Sequence, residues 1–109
     1  MVRVGKFTLT ALCGAMVYGV AAYAGSASDL SVRTLAASCA ACHGTDGHAV
    51  RGSAMPRLAG LSRGYFLQQM QAYRDGTRTA PLMQQIARGF DAAQTDALAA
   101  YFERQRPAP

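Results

Sequence analysis

The sequence has few side chains of the kind that bind metals or form crosslinks. It contains three cysteines and two histidines among 109 residues, and Cys13 lies in an N-terminal apolar segment. The remaining four, Cys39, Cys42, His43 and His48, fall within ten residues of one another. A structural zinc site needs four such ligands, usually from two separated half-sites. This arrangement therefore argues against a zinc site.

Basic runs, internal repeats and alternating apolar and polar stretches are also absent. Beyond residue 24 the chain has nine arginines and six acidic residues, which give a net charge of +3 spread along the chain. A charge this small predicts an ordinary solvated surface and argues against a nucleic-acid partner. Because no stretch alternates like a β-strand, we expect an all-α fold. The Cys-x-x-Cys pair then lacks the strand-to-helix setting of a redox dithiol.

The first 24 residues have the three parts of a cleavable secretory signal peptide. Arg3 and Lys6 precede an apolar run over residues 7–20, and a small-x-small cleavage site ends at Ala24. Cleavage there leaves residues 25–109 as the mature domain. The alternative is an uncleaved membrane anchor, since the apolar run and the cleavage site together are just long enough to cross a bilayer.

The stretch Cys39-Ala40-Ala41-Cys42-His43 matches the attachment motif of c-type haem. Cysteines at this spacing lie one helical turn apart, so both thiols can add to the vinyl groups of one haem. The histidine that follows is placed to bind the iron from one side. The sequence therefore predicts one covalent haem c, held by Cys39 and Cys42, with His43 as an axial iron ligand. A simple disulfide between the two cysteines is the weaker alternative, because it leaves His43 unexplained.

Apolar periodicity and helix-end signals predict four helices around this haem. They cover residues 29–41, 62–75, 82–88 and 91–105. The signals for their starts are, in order, Asp29 or Ser31, Ser62, Pro81, and Asp91 with Gln94. The signals for their ends are Gly44, Gly76, Gly89 and Pro107. Residues 44–61 are rich in glycine and predict a loop that wraps the haem edge. His48 lies in this loop, too close in sequence to His43 to reach the opposite haem face, and we expect it at the surface.

Met83 is the predicted second axial ligand. It lies 40 residues beyond His43, so the chain has room to come round to the other haem face. Met55 is the alternative ligand, and an open iron site is a third. Four side chains are predicted to line the haem pocket: Tyr65, Phe66, Met70 and Ile86. Leu58 is a further candidate.

With these elements placed, residues 25–109 resemble class I c-type cytochromes along nearly their whole length. Three stretches are similar to a small bacterial group that includes the haem subunit of flavocytochrome c sulfide dehydrogenase: CAACHGTDG, PRLAGLSRGYFLQQMQAYRDGTR and MQQIARGFDAAQTDALAAYF. Domains of two-haem bacterial cytochromes share much of this pattern. This chain differs from them in having a single CxxCH motif.

The resemblance implies a class I cytochrome c fold in which the first and last helices cross and His and Met bind the iron. It also implies that the Pro56 carbonyl accepts the Nδ1 hydrogen of His43 and that haem is attached outside the cytoplasm, in the periplasm. The function implied is outer-sphere electron transfer, without catalysis, as the subunit that accepts electrons from a sulfide-oxidising flavoprotein. The alternatives are a free periplasmic carrier between respiratory complexes and a haem peroxidase, which would need Met83 off the iron. Once the signal is cleaved, no stable membrane insertion is expected.

Overall fold

A computed structural model describes residues 18–106 of the chain, with side chains from residue 28 onward. This part contains four α-helices, one 3-10 helix and no strand, which confirms the all-α prediction. The elements are α1 (Tyr18–His43), a 3-10 helix (Thr45–Gly47), α2 (Arg63–Asp75), α3 (Pro81–Arg88) and α4 (Ala92–Glu103). The charged start of the predicted signal peptide, most of its apolar run, and Pro107 lie outside the described residues.

Helix α1 begins earlier than predicted, at Tyr18, so the predicted caps Asp29 and Ser31 lie inside it. Residues 18–28 contain four alanines and no proline. Because alanine has the highest helix propensity, nothing there stops the helix from extending. Leu30 of this helix is 66% exposed despite its apolar side chain. Among the described residues, no helix combines the length and the apolar character that a membrane crossing needs.

The other predicted helix ends are largely confirmed. Gly44 ends α1 with φ of 80°, and its N–H donates to the Ala40 carbonyl at 2.9 Å. The Ser62 side chain caps α2, Gly76 ends it in the left-handed conformation, and Pro81 is the first residue of α3. Helix α4 starts with the predicted Asp91 and Gln94 capping box and ends at Glu103, two residues before the predicted end. These ends were predictable because each depends on residues a few positions apart.

The core lies where α4 packs against both α1 and α2, while α3 packs against α2. The Phe66 and Phe102 rings stack with centroids 5.7 Å apart, and Tyr101 meets Phe102 edge-on at 5.3 Å. Ala36 of α1 and Ala99 of α4 are buried in this core, as expected for alanine-rich helices that approach closely. The other buried members are Met70, Tyr73, Ala87 and Leu98.

Backbone hydrogen bonds fix the loop between α1 and α2. The Gly47 carbonyl accepts from the N–H groups of Leu58 and Ala59, at 2.9 and 3.1 Å. The N–H of Gly60 donates to the Phe102 carbonyl at 2.9 Å, which ties the loop to α4. The 3-10 helix at the start of this loop was not predicted. These contacts hold residues 55–58 beside the end of α1.

Candidate functional site

A cavity of about 520 Å³ opens between the end of α1, residues 55–61, α2 and α3. Its volume lies within the range of about 300–1,000 Å³ that is typical of cofactor sites. Every residue that the sequence predicted for the site lines this cavity: Cys39, Cys42, His43, Pro56, Tyr65, Phe66, Met70, Met83 and Ile86. Leu58 and the alternative ligand Met55 line it as well. The lining therefore does not by itself decide between the two methionines.

The two motif cysteines face the cavity from consecutive turns of α1. Both thiols are free, so the disulfide alternative is not realised. Cys42 is exposed and Cys39 is half-buried. Burial raises the pKa of the Cys39 thiol, a hydrogen bond with the Ser38 hydroxyl acts in the opposite direction, and the neighbouring Cys42 raises the pKa further. Two free thiols in one wall suit the formation of two thioether bonds to one ligand.

His43 is the last residue of α1 and is only 8% exposed. Its Nδ1–H donates to the Pro56 carbonyl at 2.8 Å, which confirms the hydrogen bond expected from the family resemblance. This bond fixes the ring orientation and leaves the lone pair on Nε2, the tautomer that a metal-binding histidine needs. His43 is therefore preorganised for the ligand role that the sequence predicts.

The candidate methionines differ in how they are held. Met83 lies on α3 and packs partly buried against the core, whereas Met55 lies in the loop and is 46% exposed. A side chain on a packed helix is held more firmly than one on an exposed loop. This difference favours Met83 as the second ligand.

The structure also bears on His48 and on the alternative of a zinc site. His48 does not line the cavity, although it is half-buried rather than fully exposed. Within residues 18–106, no three His, Cys, Asp or Glu side chains come together to hold a metal ion.

The family model described as cytochrome c matches residues 31–105 of this chain. The chain belongs to the cytochrome c family. The relatives that it matches are c-type cytochromes, which carry covalently bound haem c and transfer electrons. The cavity of this cytochrome fits that cofactor, because it combines two free thiols, a histidine with Nδ1 already bonded, and a largely apolar lining.

Several known cytochromes are similar to this one. The thiosulfate dehydrogenase electron acceptor of Stutzerimonas stutzeri (strain A1501) is 42% identical over 68% of this chain and 34% of that protein. The cytochrome subunit of sulfide dehydrogenase from Chlorobaculum tepidum is 35% identical over 62% of this chain and 60% of that protein. The solved structure of Acidithiobacillus ferrooxidans cytochrome c4 has a TM-score of 0.56 and 43% identity over 60% of this chain and 37% of that one. The chain thus spans between about a third and three fifths of the length of these relatives.

Two cationic side chains in the cavity wall were not predicted as site residues. Arg57 and Arg78 line the cavity, and no acidic residue does. The Arg78 guanidinium lies over the Tyr73 ring, 4.7 Å from its centroid, and donates to Gln69 Oε1. Cations in the wall complement the two carboxylates that haem carries. No periodic signal marks these arginines in the sequence, where they are indistinguishable from surface charges.

Proposed function

We propose that this cytochrome is exported and that its mature domain, residues 25–109, accepts electrons from a dehydrogenase that oxidises a reduced sulfur compound. A sulfide-oxidising flavoprotein is the first candidate donor. The observation that carries the proposal is that one cavity brings Cys39, Cys42 and His43 of α1 together with Met83 of α3. When bound, the haem supplies one-electron redox chemistry at its iron.

The chain's own residues hold and shield the cofactor. Cys39 and Cys42 would attach it, and His43 would bind the iron through Nε2 while the Pro56 carbonyl fixes the ring. Met83 would supply the second iron ligand, and a thioether ligand favours the reduced iron. Apolar side chains exclude water and favour the reduced iron further: Tyr65, Phe66, Met70 and Ile86. With both iron ligands supplied by the protein, the bound haem would exchange electrons with a docked partner.

The names of two relatives support a donor that oxidises sulfur compounds. One is the cytochrome subunit of a sulfide dehydrogenase, and the other is the electron acceptor of a thiosulfate dehydrogenase. A thiosulfate-oxidising enzyme is therefore the second candidate donor. Exposed apolar side chains at the cavity mouth, Met55, Tyr65 and Leu82, suit the small and transient interface of a redox encounter.

Donor identity is tested by mixing the oxidised holoprotein with each candidate enzyme and following haem reduction by absorption. We expect reduction by the sulfide-oxidising flavoprotein on addition of sulfide. If thiosulfate dehydrogenase reduces the haem on addition of thiosulfate and the flavoprotein does not reduce it, the second candidate is the donor. No reduction by either would favour a free carrier between respiratory complexes.

Export is tested separately, on protein purified from its native host. The haem-attachment chemistry and the N-terminal leader together predict a periplasmic protein cleaved after Ala24. Mass spectrometry is expected to find a chain that begins at Gly25 and carries the mass of one haem. A chain that retains the leader would support a membrane-anchored protein instead.

Ligand assignment is tested by adding carbon monoxide to the reduced holoprotein. We expect slow or no binding by the wild type and by Met55→Ala, because Met83 would occupy the iron position at which carbon monoxide binds. Met83→Ala is expected to bind carbon monoxide readily, because the position is then open. Rapid binding by Met55→Ala alone would make Met55 the ligand, and rapid binding by the wild type would favour a peroxidase-type enzyme.

A further inference from the structure

Arg74, in the last turn of α2, is a half-buried cation that has no acidic partner among the described residues. Its Nη2 donates to the carbonyl oxygens of Ala87 at 3.1 Å and Phe90 at 2.7 Å, with a longer contact of 3.4 Å to Oγ1 of Thr95. The ion pair that the described residues form joins Arg63 to Asp96 instead. The charge of Arg74 is therefore compensated by backbone carbonyl dipoles at the end of α3 and in the turn that follows.

Helix α3 has few other features that hold its ends. It has eight residues, and its N-cap residue, Ala80, provides no side-chain hydrogen bond. Gly89 ends it with φ of −76°, without the left-handed conformation that closes α2. Carbonyls in the last turn of a helix lack partners within the helix and carry partial negative charge, so a cation stabilises them. Arg74 supplies that cation and links α3 to α2.

The same helix carries Met83, one turn before Ala87. Residues four positions apart lie on the same side of a helix, so the anchoring point of Arg74 and the methionine are close along α3. Ala87 itself is fully buried against the core. We propose that Arg74 is a positioning residue that fixes the end of α3 and thereby keeps Met83 in the cavity as an iron ligand. This inference rests on the ligand role proposed above for Met83.

The test measures how easily an added ligand displaces Met83 from the oxidised iron. We expect Arg74→Met to bind imidazole about tenfold more tightly than the wild type, since hydrogen bonds to a charged group are worth about that factor. The weak far-red absorption of an iron–thioether bond should decrease in parallel. Arg88→Met is the matched control, because Arg88 is exposed, lies in the last turn of α3 and has no hydrogen bond or ion pair among the described residues.

Two reference variants separate this inference from the proposed function. If Met83→Ala keeps the far-red band of the wild type, the ligand assignment itself is wrong. If Met83→Ala loses that band but Arg74→Met behaves like Arg88→Met, the role of Arg74 is overturned. The double variant of Arg74→Met and Met83→Ala should bind imidazole no more tightly than Met83→Ala alone. A further tenfold gain there would mean that Arg74 only loosens the protein generally, which also overturns the inference.

Arg74→Gln serves if Arg74→Met does not fold. It removes the charge but keeps one amide donor near the α3 carbonyls, so we expect a smaller gain in imidazole affinity that still exceeds that of Arg88→Gln. Hydrogen exchange provides a second readout, with faster exchange confined to the backbone amides of α3. Equal imidazole affinity and equal exchange in the two Gln variants would overturn the inference.

Discussion

Tyr101 is the residue of α4 that links the core to the loop following the haem-binding motif. Its side chain is buried, and its hydroxyl donates to Asp46 Oδ1 at 2.5 Å. Asp46 has φ of 53°, a left-handed conformation that non-glycine residues rarely adopt. The loop beyond Asp46 supplies Pro56 to His43. A single side-chain contact therefore helps to fix the part of the chain that orients the proposed iron ligand.

Replacing Tyr101 with Phe should weaken this link and change how stability depends on pH. We expect a loss of about 0.5–1.5 kcal/mol in the free energy of unfolding at neutral pH, the usual net worth of a hydrogen bond. Burial raises the pKa of Tyr101, and the Asp46 carboxylate raises it further. Because the folded state holds this proton more tightly, the wild type should lose stability as the pH rises above about 10, the ordinary pKa of tyrosine.

Urea unfolding of the holoprotein at neutral and alkaline pH checks both expectations. The alkaline loss should be smaller in Tyr101→Phe than in the wild type. Tyr65→Phe is the matched control, because Tyr65 is exposed and its hydroxyl has no partner among the described residues. Equal alkaline losses in the wild type and Tyr101→Phe would show that this hydroxyl does not control the pH dependence.

At the scale of elements, local end signals predicted most helix ends, but they missed the 3-10 helix and the start of α1. Ser62, Gly76 and the Asp91 capping box each act within a few residues, so the pattern was sufficient. The 3-10 helix escaped prediction because Asp46 is held there by a residue 55 positions away. The start of α1 escaped because propensity, rather than a cap, extends that helix toward Tyr18.

The sequence likewise identified some residues of the site and missed others. The CxxCH motif identified Cys39, Cys42 and His43, and the apolar face of α2 identified Tyr65, Phe66 and Met70; all six line the cavity. Arg57, Arg74 and Arg78 were not identified, because a charge in a sequence carries no information about whether it faces solvent, a cavity or the end of another helix. Their roles depend on the packing of α3 and the loop on α2.

Gly47 is the point where the loop packs most closely on α4, and its substitution tests that packing. A Cβ at Gly47 would lie 2.7 Å from Ala59 N and 2.9 Å from Phe102 Cδ1. Gly52 has nearly the same φ, 81° against 79°, but a Cβ there would meet nothing within 4 Å. Both Ala variants incur the left-handed cost of about 1–2 kcal/mol. Gly47→Ala should lose about 1–3 kcal/mol more, the usual cost of overpacking.

Denaturant unfolding of the two holoprotein variants measures this difference. Since the φ angles of the two glycines match, subtracting the loss in Gly52→Ala from that in Gly47→Ala isolates the close contact. Equal losses would mean that the loop moves away from Phe102 at little cost, and that the contact does not hold the haem-site loop in place.

At the scale of the whole molecule, the functional cavity and the hydrophobic core share their residues. Phe66, Met70, Tyr73 and Leu98 belong to the buried core and also line the cavity. The mature domain would have 85 residues, a size at which a core alone gives only marginal stability. A cavity of about 520 Å³ beside such a core removes packing that the domain can hardly lose. The cofactor therefore completes the core as well as the site.

Preventing haem attachment should accordingly abolish cooperative unfolding. The double variant of Cys39→Ala and Cys42→Ala removes both thioether anchors, and we expect its helical signal to decline gradually on heating, without the sharp transition of the holoprotein. Met83→Ala is the matched control, since it keeps the covalent haem and should still unfold cooperatively at a lower temperature. Circular dichroism during heating measures all three proteins. A cooperative transition in the haem-free variant near that of the holoprotein would mean that the helices pack without the cofactor, and that the cavity is a preformed site in an independently stable fold.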